Sequence, residues 1–157
     1  MDRLKEDSSG TSNRFLAWLF PITYLLHITE EYLADFPGRL LRTQGVILSP
    51  TRFVVLQSLG LSLMVVGIVL SRRLGFANQI LVILSAVVIG NSLIHAGRSI
   101  VFGGFEPGLV TSLLFWLPLG TVTLFSGWHK MNASRYIVGM AVGIAVCAAV
   151  EIITITI

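Results

Sequence analysis

The sequence predicts an all-α fold, a polytopic bundle of about five membrane-crossing helices, or four if the first only dips into the membrane. Three observations predict it. Charged residues make up 12% of the chain and hydrophobic ones 54%, whereas a soluble domain carries roughly 25% charged residues. The mean hydropathy is +0.83. The apolar residues also gather into separate runs, each near the ~20 residues that cross a bilayer as a helix.

Residues 1–14 are polar and mixed in charge, and read as a cytoplasmic flexible tail. They do not read as a signal peptide, because no small-residue cleavage site follows the apolar run. Residues 15–157 form a single transmembrane domain. The first span runs from Phe15 to about Phe36, with Pro21 as an expected kink. Only Phe15 to Leu26 is free of ionisable groups, so the rest of that span needs burial in protein. Phe53 to Ser71 and Leu74 to Ile94 are uncharged runs bounded by Arg52, Arg72, Arg73 and His95. Pro107 to Trp128 is the fourth span. Tyr136 to Ile157 is the fifth, interrupted by Glu151 and stepped by Gly139, Gly143 and Cys147, small residues that let helices approach closely.

Charge sets the orientation. With the N-terminus inside, inner segments hold Arg3, Lys5, Arg14, Arg72, Arg73, Lys130 and Arg135, and outer ones hold Arg39, Arg42, Arg52 and Arg98. That excess predicts a cytoplasmic N-terminus and an external C-terminus in a bacterial inner membrane. The basic residues sit in short loops, so the net charge of +3 predicts no nucleic-acid partner. The single cysteine, Cys147, excludes an internal disulfide.

The residues that demand explanation are His27-Ile28-Thr29-Glu30-Glu31. An ionisable side chain at bilayer depth costs roughly 2.5–3.5 kcal/mol on insertion scales, so the cluster should face the interior and have partners. His27, Glu30 and Glu31 share one helix face by their spacing. Alternating crossings put His95, Asn91, Arg98 and Glu151 in the same leaflet. Pro107-Gly108 and Thr111 open the fourth span at that depth, where free N–H groups suit an anionic group. The loop from Gly97 to Gly108 carries four glycines and reads as a lid.

Imidazole with carboxylate in low dielectric suits Zn, Fe or Mn. Bundle di-iron sites use Glu-x-x-His from several helices; here the order is reversed and donors are few. The simpler expectation is one divalent metal, Zn or Fe, held by His27, His95 and Glu30 or Glu31. The other glutamate then serves as base, with Asn91 orienting a ligand or substrate. Tyr24, Arg98, Thr111 and Glu151 are candidates for the surrounding shell, with Thr23 beside Tyr24. The alternative for the cluster is a helix end emerging among lipid headgroups, and for Glu151 a structural carboxylate. His129 beside Trp128 reads as an interfacial residue at the opposite face.

These residues resemble the family of small bacterial membrane proteins named for an HXXEE motif. His27-Ile28-Thr29-Glu30-Glu31 matches the motif, and Tyr32, Phe36-Pro37-Gly38, Asn91-x-x-x-His95 and Pro107-Gly108-x-x-Thr111 are similar to its continuation. The resemblance covers about residues 15–125. It implies a multi-span protein with an enzymatic or metal-binding centre, and no particular substrate. Glu151 lies outside it.

Two functions follow. One is a membrane-embedded metal-dependent enzyme, hydrolytic or oxidative, acting on a lipid-like or apolar small molecule. The other is a non-enzymatic protein that binds protons or cations for transport, which with so few spans needs a homo-oligomer.

Overall fold

In the computed structural model, the backbone is described for residues 3–156 and the side chains for residues 15–156. The fold is the expected all-α bundle. Six helices follow one another: α1 (Arg3–Leu33), α2 (Phe36–Gln44), α3 (Pro50–Arg73), α4 (Ala77–Val101), α5 (Leu109–Trp128) and α6 (Ala133–Thr156). Side chains of the tail expected over residues 1–14 lie outside the described residues.

Four helices among the described residues are long and apolar enough to cross a membrane: α3, α4, α5 and α6. α1 falls short because His27, Glu30 and Glu31 interrupt it, yet it runs the length of α3 in the opposite direction. The Arg72 guanidinium lies 5.7 Å over the Trp18 ring. The Tyr24 hydroxyl donates to the Gln57 side-chain oxygen at 2.5 Å. Tyr32 stacks on Phe53 at 6.5 Å.

The first apolar segment ends earlier than its composition suggests. Asp35 adopts a left-handed conformation (φ 55°) and its carboxylate accepts from the Gly38 N–H. That turn stops α1 at Leu33 and starts α2, with Pro37 in the first turn where a missing N–H costs nothing. A Cβ on residue 38 would overlap the Asp35 carboxylate as it stands in this cap, so any larger residue would displace the capping side chain. Phe36 and Leu40 of this short helix bury against Leu48 and Phe53. α3 begins at Pro50 under the Ser49 cap, whose hydroxyl accepts from the Arg52 N–H. α4 continues past the expected end at Ile94, so His95 lies inside a helix rather than at its mouth.

α4 is the central helix, packed against α1, α3, α5 and α6. Phe20, Ile68, Val88 and Trp116 form the middle of the core. α6 lies on α4 through its glycine steps. A Cβ at Gly143 would stand 2.5 Å from the Ile83 carbonyl oxygen and 2.6 Å from the Ala86 Cβ. Cys147 lies against Gly90 in the same seam, which accounts for it as a packing residue.

α5 is not uniform. Its second turn, Ser112–Trp116, is a π-helix. Pro118 explains this, since a proline has no N–H to return to the carbonyl four residues back, and the ladder widens ahead of it. The Ser112 carbonyl accepts from the Leu117 N–H within the π-turn, and the Ser92 hydroxyl of α4 also reaches it at 3.1 Å.

Replacing Gly143 by Val should push α6 off α4 and cost about 1–3 kcal/mol, read as a lower unfolding midpoint in mixed micelles. Gly97→Ala meets nothing within 4 Å and should leave that midpoint unchanged or raise it. Equal losses would contradict the close α4–α6 contact.

Candidate metal centre

The site is assembled at one end of the bundle from four helices. α1 supplies His27 and Glu31, one turn apart, and α4 supplies His95. All three are buried, at 1%, 3% and 2% exposure. Both imidazoles converge on one carboxylate oxygen. Glu31 Oε1 lies 3.5 Å from His27 Nε2 and 3.4 Å from His95 Nε2. The three donor atoms all lie within 4.8 Å of one another.

The shell fixes these groups. Thr111 of α5 lies 2.9 Å from His27 Nδ1 through its hydroxyl. That hydroxyl also lies 3.4 Å from the Gly108 carbonyl; a proton given there leaves its oxygen free to accept from a protonated Nδ1, the tautomer that would keep a lone pair on Nε2. Nε2 itself is buried without a hydrogen-bond partner. Gln57 of α3 donates to Glu31 Oε2 at 2.9 Å, and Tyr24 holds Gln57 in turn. This leaves Oε1 as the oxygen that faces the imidazoles. Trp116 stacks on His27 at 3.8 Å, placed there by the π-turn. His95 stands edge-on to His27 at 5.0 Å, and its Nδ1 is also buried without a partner.

The two imidazole–carboxylate separations, 3.5 and 3.4 Å, are long for hydrogen bonds and close to those within a metal site. Donor atoms bound tetrahedrally to zinc at 2.0–2.1 Å lie about 3.4 Å from one another. N–H···O bonds prefer about 2.7–3.2 Å. By donor type and burial the group could hold a metal ion. Gly108 seals it. Its φ is +87°, and a Cβ there would stand 2.7 Å from His27 Cε1 and 2.8 Å from His95 Cε1.

Glu30 stands outside this cluster, which narrows the expected glutamate donor to Glu31. Its carboxylate accepts from the Val110 N–H at 3.1 Å and the Thr111 N–H at 2.7 Å. It caps α5 at its positive dipole end. The HxxEE spacing thus gives its acids two different tasks. The opening of α5 does bind an anion, but that anion is this side chain. Arg98 donates to Glu151 at 2.7 Å, so these two neutralise one another beside the site. Asn91 lies one turn below His95, with its Oδ1 buried and without a partner. Thr23 turns away and donates to the Leu19 carbonyl.

The glycine-rich segment expected to act as a lid is strapped down. Arg39 of α2 donates to Glu106 at 3.1 Å and to the Gly103 carbonyl at 2.6 Å. Glu106 is 1% exposed. Gln57, Trp116, Arg39 and Glu106 escaped the sequence reading. Gln57 carried a signal, being a lone amide within an apolar run. Trp116 sits near a span's middle rather than in an interfacial belt. Glu106 is an acid abutting the Pro107-Gly108 opening.

The fold and site together define a polytopic membrane protein with a buried two-histidine, one-carboxylate cluster at one end of its bundle. The chain belongs to the family described as "Protein of unknown function with HXXEE motif", whose model matches residues 18–123. That stretch contains all three donors, Thr111 and Trp116, and ends before Glu151. No curated protein and no solved structure matches the chain.

Glu30→Ala should uncap α5 and lower stability by about 1–2 kcal/mol, a typical loss for a helix N-cap. Denaturant unfolding checks this, and Glu30→Gln should recover part of the loss because an amide oxygen still accepts. Gly108→Ala and Gly45→Ala both carry the positive-φ penalty of ~1–2 kcal/mol. Only the former should also displace His27 from Trp116, seen as a shift in indole emission, because nothing lies within 4 Å of a Cβ at Gly45.

Proposed function

We propose that this protein is a membrane-embedded metal-dependent enzyme acting on a lipid-like or apolar substrate. The observation that carries the proposal is the convergence of two buried imidazole nitrogens on Glu31 Oε1 at 3.5 and 3.4 Å. Two His and one carboxylate leave coordination positions open, as in catalytic zinc sites and non-haem iron sites. A divalent ion bound there would supply Lewis acidity toward a water or substrate oxygen for hydrolysis or, as iron, activation of dioxygen for oxidation.

The chain's own residues prepare that chemistry. Thr111, by accepting from Nδ1–H, would leave the lone pair of His27 Nε2 free for the ion. Gln57 turns Glu31 so that one oxygen faces the centre. Trp116, Phe36 and Gly108 shut out water around the imidazoles, which strengthens electrostatic contacts there. Asn91 offers an amide to orient a bound group. The basic-residue excess supports a centre in the outer leaflet, with the N-terminus in the cytoplasm.

The transport reading draws less support. Glu30 is engaged by two N–H groups and Glu151 by Arg98, which leaves Glu31 alone to carry a proton or cation.

Purified protein expressed in metal-replete medium should carry about one zinc or iron ion per chain, measured by elemental analysis. His27→Ala, His95→Ala and Glu31→Ala should each lose it while Glu30→Gln retains it. Metal-free wild-type protein, or equal loss in Glu30→Gln, would overturn the assignment.

A further inference from the structure

Beneath the His/Glu cluster lies a cavity of about 330 Å³. It is bounded by α1, α3, α4 and α6 and by Trp116 of α5, and most of its wall is apolar, including Met64, Ile83 and Val87. Leu63, Val146 and Val150 also line it, and they are 63%, 42% and 49% exposed. These three stand on α3 and α6, helices that face lipid by length and composition. The cavity therefore opens sideways, into the bilayer rather than into water.

Its polar lining comes from Tyr24, His27, Gln57, Asn91 and Glu151, gathered at the end that meets the cluster. Tyr24 and Gln57 are hydrogen-bonded to each other, and Glu151 is paired with Arg98. Three polar atoms among the lining residues are left without partners: His27 Nε2, on a side chain 99% buried, Asn91 Oδ1 and the Trp116 indole Nε1. Buried polar atoms are almost always satisfied, so this end is built to meet a polar group. An apolar shaft with one unsatisfied polar end matches an amphiphile. The volume is at the small end of the roughly 300–1,000 Å³ of ligand sites, which suits one alkyl chain and not two.

We propose that this cavity binds the chain of a single-chain membrane amphiphile, entering between α3 and α6, with an oxygen-bearing head at the His27–Asn91 end. The proposal rests on the metal reading for what the head meets, and on the cavity alone for where the tail lies. It assigns the substrate class as fatty acids and their monoacyl derivatives. A hydroxyl of the head, from a protonated carboxyl or the alcohol of a monoacyl ester, would then donate to Asn91 Oδ1.

The test uses full-length protein with Trp18→Phe and Trp128→Phe, so that Trp116 in the cavity wall is the one indole left. It is placed in nanodiscs of diacyl phosphatidylcholine and titrated with fatty acids brominated near the carboxylate or at the far end. A brominated diacyl phosphatidylcholine serves as comparison. Saturable quenching by the fatty acids is expected, stronger for the head-proximal bromine. Val87→Phe and Ile83→Phe, which fill the shaft, should each weaken binding about tenfold or more, roughly 1.4 kcal/mol. Asn91→Leu should weaken the head-proximal advantage.

Non-saturable quenching, equal quenching by the diacyl lipid, or unchanged binding in both filled variants would overturn the proposal. Metal content is measured on the same samples. Loss of quenching with the metal retained defeats the amphiphile site alone. Saturable quenching in protein that never binds metal defeats the metal reading and leaves the amphiphile site standing.

Discussion

A buried carboxylate shared by two imidazoles is the constraint on which the rest of this structure depends. Glu31 is almost wholly shielded from solvent on a helix that otherwise reads as a membrane span. A charge there is costly unless it is paired and hydrogen-bonded. α1 cannot satisfy it alone. Its own His27 offers one nitrogen, α4 offers a second through His95, and α3 satisfies the other oxygen through Gln57. The need for three partners from three helices holds α1 inside the bundle although its hydropathy falls short of that of α3 to α6.

The opening of α5 is fixed by the same logic applied to the neighbouring acid. Glu30 occupies the free N–H groups of Val110 and Thr111, and so pins the start of α5 beside α1. Pinning puts the Thr111 hydroxyl against His27 and the Gly108 backbone against both imidazoles. One turn further on, the π-turn ahead of Pro118 rotates Trp116 onto His27. Adjacent acids in one motif thus do complementary work: Glu31 is part of the centre, and Glu30 brings in the helix that closes it. Arg39 and Glu106 extend the closure over the outer end, so the glycine-rich segment acts as a fixed cover.

The location of the centre bears on its chemistry. Reactive groups set in the headgroup region would meet water freely. This cluster is roofed by Gly108 and Trp116, and its inner side adjoins an apolar shaft reached from the lipid phase. Low dielectric strengthens every charge interaction within it. Arg98 and Glu151 pair with one another at that end, which leaves Glu31 to its imidazole and amide partners.

The sequence by itself determined the class of fold, because membrane-crossing helices are dictated by run length, low charge and the need of every backbone group for an internal partner. It also determined that His27, Glu31 and His95 share a depth, since alternation alone brings their segments to one end. Helical spacing put His27, Glu30 and Glu31 on one face. It could not divide the tasks of the two glutamates, which depends on where the N–H groups of α5 point, 80 and 81 residues from Glu30. Likewise Gln57 and Trp116 reach the site only through the antiparallel register of α1 on α3 and through a π-turn whose effect is a rotation in space. Local pattern fixes periodicity and depth. Partners across helices are chosen by packing and by the satisfaction of buried polar atoms, and those exist only once the bundle has closed.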